Sequence, residues 1–114
     1  MTITDATPLP LTGIKVVELS HLIAGPFCCQ MLADEGATVI KVEPPDGELT
    51  RHRPPARRSA DGEVTAYFAS LNRNKKSVTL DLKNPEGAAL MAKLVAKADV
   101  FVTNMRAAAL ERLK

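Results

Sequence analysis

Short aliphatic runs alternate along the chain with longer stretches of helical periodicity. Ile14-Lys15-Val16-Val17-Glu18-Leu19 is largely β-branched and is bounded by Gly13 and Ser20, which predicts a strand buried on both faces. After the turn Ser20 to Pro26, the residues Phe27, Cys28, Met31 and Leu32 fall on one helical face, and Gln30 and Asp34 fall on the other. Pro26 suits the first turn of that helix and Gly36 its C-terminal cap. Ala37-Thr38-Val39-Ile40-Lys41-Val42 then reads as a second strand. Two aliphatic strands joined by a helix form a βαβ unit, because parallel neighbours need a crossover, so the sheet is expected to be parallel.

Residues 44–64 break the pattern. Pro44-Pro45-Asp46-Gly47 is a turn, and the paired prolines and charge density of Arg51-His52-Arg53-Pro54-Pro55-Ala56-Arg57-Arg58 predict a long basic loop without a regular element. A short helix over Ala66 to Leu71 and a third strand over Ser77 to Asp81 follow. Asn84-Pro85-Glu86 supplies an N-cap, a first-turn proline and an acid at the positive end of a helix dipole. The helix it opens is expected to bury Leu90, Met91, Leu94, Val95 and Ala98 and to expose Lys93 and Lys97. Asp99 to Val102 reads as a fourth strand, and Ala107 to Leu113 as a further helix without a stop signal.

A length of 114 residues limits the chain to one domain, here residues 13–114 after a flexible leader over 1–12. With 15 Lys and Arg against 13 Asp and Glu, 46% hydrophobic residues and no Trp, the composition is globular and the core aliphatic. A net charge of +2 is small for a protein that tracks a nucleic-acid backbone, and few aromatics are available to stack on bases. No apolar run reaches the roughly 18 residues of a membrane span, and Met1 to Asp5 lacks the features of a secretory signal, so the expectation is a cytoplasmic protein. Cys28 and Cys29 are adjacent, which suits neither a disulfide framework nor a metal site, and both are read as reduced, buried packing residues.

In an open parallel sheet, ligands bind beyond the carboxyl ends of the strands. The turn after the first strand leads into a helix N-terminus, which favours an anion such as a phosphate, with Gly25 allowing close approach. The same turn reads equally as one whose geometry Gly25 and Pro26 set, and the three-glycine dinucleotide fingerprint is absent. His21 has no partner Ser or Cys and reads as structural by spacing. Glu43, followed by two prolines, is expected to satisfy loop amides or pair with a nearby cation rather than bind a ribose. Arg51, Arg53, Arg57 and Arg58, with Arg73, Lys75 and Lys76, read as a solvated cationic region or as the seat of a polyphosphate.

Several motifs together carry a resemblance. The runs Leu11-Thr12-Gly13-Ile14-Lys15-Val16-Val17-Glu18-Leu19-Ser20, Leu22-Ile23-Ala24-Gly25-Pro26, Leu32-Ala33-Asp34-Glu35-Gly36-Ala37 and Val39-Ile40-Lys41-Val42-Glu43-Pro44-Pro45 resemble the opening of family III CoA-transferases, the CaiB/BaiF group that includes formyl-CoA transferases. The likeness continues through Leu71-Asn72-Arg73-Asn74-Lys75-Lys76-Ser77, Leu80-Asp81-Leu82-Lys83, Pro85-Glu86-Gly87 and Ala98-Asp99-Val100. It departs at Met105-Arg106-Ala107-Ala108, where the family has an aromatic followed by Arg-Pro-Gly.

The resemblance implies the N-terminal part of a larger α/β fold, with Rossmann-like βαβ units, a mainly parallel sheet and coenzyme A as substrate rather than a metal cofactor. By the same resemblance, His21, Leu22, Ile23 and Ala24 line the CoA site, and further contacts carry over to Leu80, Lys83, Asn104, Met105 and Arg112. The implied reaction moves CoA between an acyl-CoA and a carboxylic acid. An aspartate attacks the donor thioester to give a mixed anhydride and CoA thiolate, which then forms an aspartyl-CoA thioester that exchanges with the acceptor acid. No acidic residue of this chain matches that aspartate, so the expectation is a CoA-binding segment that is inactive alone, belonging to a longer enzyme that forms an interlocked homodimer. The alternative is a stand-alone, non-catalytic module that binds CoA or a nucleotide.

Overall fold

The computed structural model describes residues 7–113. Six strands and four α-helices follow in the order β1 (Lys15–Leu19), α1 (Ala24–Asp34), β2 (Thr38–Glu43), β3 (Ala56–Ser59), β4 (Gly62–Thr65), α2 (Ala66–Asn72), β5 (Lys76–Thr79), α3 (Pro85–Ala96), β6 (Val100–Thr103) and α4 (Ala107–Glu111). β5, β2, β1 and β6 form a four-stranded parallel sheet in that order, with Glu18 opposite Lys41 and Lys41 opposite Ser77. α1 covers one face and α3 with α4 the other. Among the described residues no helix is long and apolar enough to cross a membrane.

The two sheet faces differ in chemistry. Beneath α3 lie Val17, Leu19 and Val42, packed on Met91 and on partly buried Val78, Leu80 and Leu94, so this face is aliphatic throughout. Beneath α1, Val16 and Val39 pack on Cys29, Ala33 and Ala37 at the amino end of the strands only. Toward the carboxyl end the same face turns ionic. The Glu18 carboxylate, fully buried, accepts hydrogen bonds from Lys41 Nζ at 2.8 Å and Ser20 Oγ at 2.7 Å, and its second oxygen meets Lys75 Nζ at 2.8 Å. Lys75 also donates to Pro26 O and Asn72 Oδ1, which ties the α2–β5 connection to the start of α1. Burial alone would raise the Glu18 pKa, but the two ammonium groups hold it below the ordinary value; burial pulls that of Lys75 down.

Several expectations need correction. α1 is rotated from the predicted face: Gly25, Pro26, Cys29, Gln30 and Ala33 are buried, while Phe27 and Met31 are about half exposed and Cys28 is exposed. The physical reason is close packing of helix on sheet along the small side of α1, Gly25, Cys29 and Ala33 at four-residue spacing: Cys29 and Ala33 rest on Val16 and Val39, and Gly25 on Ser20, the residue that bonds the Glu18 carboxylate, so the bulkier Phe27 is turned outward. At Gly25 the approach is closest, since a Cβ there would run into the Ser20 side chain. Cys29 alone fits the buried-thiol reading, with burial pushing its pKa up to about 12.

The segment 44–64 is structured as well. It holds a 3-10 helix at Leu49–His52 and the antiparallel β3–β4 hairpin. The hairpin is exposed along nearly its whole length, so it lacks the apolar alternation by which strands are recognised in sequence. The leader is fixed in part: the Leu11 N–H donates to Glu35 O at 2.8 Å, and Leu11 packs on the α1-side core because the chain must turn there to enter β1. Residues 1–6 of that leader lie outside the described residues. α3 follows its expected span, with Asn84 Oδ1 accepting the Glu86 N–H, but Leu90 is half exposed.

Glu18 neutralises two buried cations, so it matters more than either. Glu18→Gln is expected to cost roughly 3–5 kcal/mol in urea denaturation, because two buried ammonium groups lose their counterion. Lys75→Met is expected to cost clearly less, since Lys41 still pairs the carboxylate; the reverse order would contradict this account.

Candidate functional site

A cleft of about 430 Å³ opens at the carboxyl ends of β1, β2 and β5. Its floor is Leu19, Val42 and Leu80, and its walls are His21 after β1, Glu43 to Asp46 after β2, Asp81 to Lys83 after β5, and Met105 after β6. Leu113 closes it from beyond α4. This is where a parallel sheet places a ligand, because the strand-to-helix turns diverge there and leave a crevice. Leu19, Leu82 and Leu113 are shared with a second, almost wholly apolar cavity of about 570 Å³ between α3 and α4.

The turn between β1 and α1 is held from two sides. The His21 N–H donates to Asn104 Oδ1 at 3.0 Å, and Asn104 Nδ2 donates to His21 O at 2.7 Å, so one amide side chain after β6 pairs with both backbone groups of His21. The Leu22 N–H donates to Glu48 Oε1 at 3.0 Å. Leu22 has φ +64°, a left-handed conformation in which a residue with a Cβ is strained by about 1–2 kcal/mol, so external bonds are needed to keep it there. An internal carboxylate therefore stands just ahead of α1, on the side where the sequence offered an anion site.

Glu43, at the end of β2, is saturated with donors. Its Oε2 accepts from Arg51 Nε at 2.7 Å and from the Glu48 N–H at 2.8 Å, and its Oε1 from an Arg51 terminal nitrogen and from Ser77 Oγ, both at 2.7 Å. Burial alone would raise its carboxyl, but Arg51, Ser77 and the Glu48 amide together hold it down to about 2. Arg51 is fixed in turn by the Phe68 ring, 3.7 Å from its guanidinium carbon. The expectation that Glu43 satisfies a loop amide and a nearby cation matches this arrangement.

The cationic region is mostly spent on internal pairs. Arg51 is bound to Glu43, Arg58 to Glu63 at 2.8 Å and Arg73 to Asp34 at 2.6 Å, while Lys75 is buried against Glu18. A polyphosphate seat built from all these side chains does not form, because carboxylates of the same chain reach them first. Lys83 stands exposed on the cleft wall.

The residues singled out in sequence are distributed as follows. His21, Leu80, Lys83 and Met105 meet at the cleft. Leu22, Ile23 and Ala24 are exposed at the entry to α1, outside the cleft lining. Asn104 braces His21, and Arg112 is exposed at the end of α4, apart from the lining. Sequence reasoning misses Glu48 and the buried pair Glu18 and Lys41, and it names Lys75 only as part of the cationic region, not as their partner. For Glu18 and Lys41 a signal exists, since each is a charge inside a short, otherwise aliphatic strand. For Glu48 there was none, as an acid in a polar loop is unremarkable.

The sequence profile of CoA-transferase family III matches residues 11–114. A succinate–glutarate CoA-transferase of Agrobacterium fabrum is 50% identical over 101 residues, covering 85% of this chain and 25% of that protein. A succinyl-CoA–D-citramalate CoA-transferase of Chloroflexus aurantiacus is 47% identical over 109 residues, covering 91% of this chain and 25% of that protein. The crystal structure of a CaiB/BaiF family protein from Brucella suis superposes with a TM-score of 0.89 at 44% identity, over 94% of this chain and 29% of that one. The chain thus spans about a quarter of the length of the curated relatives it matches.

The lowered Glu43 pKa sets a pH dependence. A depressed folded-state carboxylate contributes stability above its ordinary value of 4.5 and loses it as the pH falls toward about 2. Glu43 is expected to contribute on the order of 3 kcal/mol at neutral pH. Urea denaturation between pH 7 and 3 should show the stability of Glu43→Gln falling less steeply than that of the parent; parallel curves would contradict the assignment.

Proposed function

Because the chain belongs to CoA-transferase family III, we propose that residues 13–114 supply one wall of a coenzyme A site in an enzyme that moves CoA between an acyl-CoA and a carboxylic acid. The observation that carries this reading is the cleft at the strand ends, where Leu80 and Met105 offer apolar wall and Lys83 an exposed cation. CoA needs both: a cation for its phosphates, and aliphatic surface for pantetheine and adenine. His21 lines the cleft from the braced turn, and in this reading Leu22, Ile23 and Ala24, exposed next to it at the entry to α1, meet the ligand outside the cleft. In this reading Asn104 contributes by orienting His21, and Arg112 reaches the ligand's phosphate end from α4.

The segment contributes binding and orientation, not bond making. Its buried carboxylates Glu18, Glu43 and Glu48 are each engaged by internal donors, which leaves them unsuited to attack a thioester. The attacking aspartate of the family and the interlocked homodimer belong to our reading of the whole protein.

Calorimetric titration of the chain with CoA tests the proposal. Micromolar binding is expected, weakened about tenfold by Lys83→Ala through loss of a charge-assisted contact and abolished by Leu80→Asp. No binding, or an affinity that neither substitution changes, would overturn it.

A further inference from the structure

Glu48 has no role in the chemistry described so far, yet it is among the most completely buried side chains of the protein, at 1% exposure. A buried carboxylate is costly unless each oxygen has a donor and its charge is compensated. Both conditions are met. One oxygen accepts the Leu22 N–H and the other the Thr50 hydroxyl, while the nearby Arg51 guanidinium supplies the opposite charge. The position of Glu48 is set independently of the turn it bonds. Its own N–H donates to Glu43 Oε2, and Thr50 O accepts the Thr65 hydroxyl at 2.6 Å, which fastens the 3-10 helix to the end of β4. The bond to Leu22 therefore links a rigid loop to a strained turn 26 residues earlier in the chain.

Removing that acceptor would leave the Leu22 amide without its partner while φ stays at +64°, a conformation the residue does not favour by itself. The next residue back, His21, faces the cleft. We propose that Glu48 is a positioning residue of the site: its carboxylate locks the Leu22 amide and with it the left-handed turn that presents His21 to the ligand. The lock is a property of the free chain, and its consequence for CoA rests on the function proposed above.

Amide hydrogen exchange by NMR on the ligand-free 114-residue chain tests the lock directly, and CoA calorimetry on the same variants tests its consequence. Glu48→Ala is expected to speed Leu22 exchange at least about tenfold while the Val16 and Val39 amides keep their protection, and to weaken CoA binding about tenfold. Glu48→Gln, whose carbonyl still accepts a hydrogen bond, is expected to restore both toward the parent. If the alanine variant does not fold, Glu48→Asp, with its carboxylate drawn back by one methylene, is expected to show the same local increase. Unchanged Leu22 exchange in these variants overturns the lock, as does weaker CoA binding without faster exchange. A parent chain that binds no CoA overturns the function proposed above, and the exchange data then decide the lock alone.

Discussion

The arrangement depends on one buried carboxylate shared by two ammonium groups. Glu18 meets Lys41 and Lys75 on the face of the sheet under α1, where none of the three has water to fall back on. Because Glu18 sits directly opposite Lys41, the pair specifies the β1–β2 register. A slip of one residue would carry Lys41 to the face packed by Val17, Val42 and Met91, where no counterion waits. Two cations on one anion leave a surplus that the neighbouring cluster offsets, since Glu43 and Glu48 flank a single Arg51. Three carboxylates and three cations thus share this buried and half-buried layer. Its value is specificity of register and packing more than net stability, which buried ion pairs supply poorly.

That layer also joins fold to site. It begins beneath α1, passes through Lys41 and Glu43 along β2, and reaches the loop at Glu48 and the turn at Leu22. Apart from the two-residue run of β2 from Lys41 to Glu43, every step is a hydrogen bond made by a buried side chain, so the turn lining the cleft inherits its position from the sheet interior. The opposite face carries no charge of this kind. Its aliphatic surface forms the cleft floor and continues into the cavity between α3 and α4. One end of the sheet therefore combines an electrostatically fixed rim with an apolar floor, the two components that a ligand both charged and aliphatic requires.

Much of this was legible from the residues. The order of the parallel strands and their crossover helices and the capped α3 follow from periodicity, Asn84-Pro85 and the length of the crossover, because these are local signals. The family motifs pointed to the strand ends, and His21, Leu80, Lys83 and Met105 do meet there. The α1 face was misread for a non-local reason. Periodicity favours turning Phe27 and Met31 inward, but the helix meets the sheet through Gly25, Pro26, Cys29, Gln30 and Ala33, whose small members allow a close approach. The β3–β4 hairpin escaped notice because an exposed ribbon needs no apolar pattern.

The sequence by itself therefore determined the four strands of the parallel sheet, the helices between them and the family, since each is written in residues close along the chain or in runs of fixed spacing. Only the tertiary structure decided which cations are free. Arg51, Arg58, Arg73 and Lys75 resemble Lys83 on paper, yet the first four are taken by Glu43, Glu63, Asp34 and Glu18, and Lys83 stands exposed on the cleft wall. The physical reason is that charge pairing depends on distance in space. The partners of Arg73 and Lys75 lie 39 and more residues away, and folding alone brings them within 3 Å.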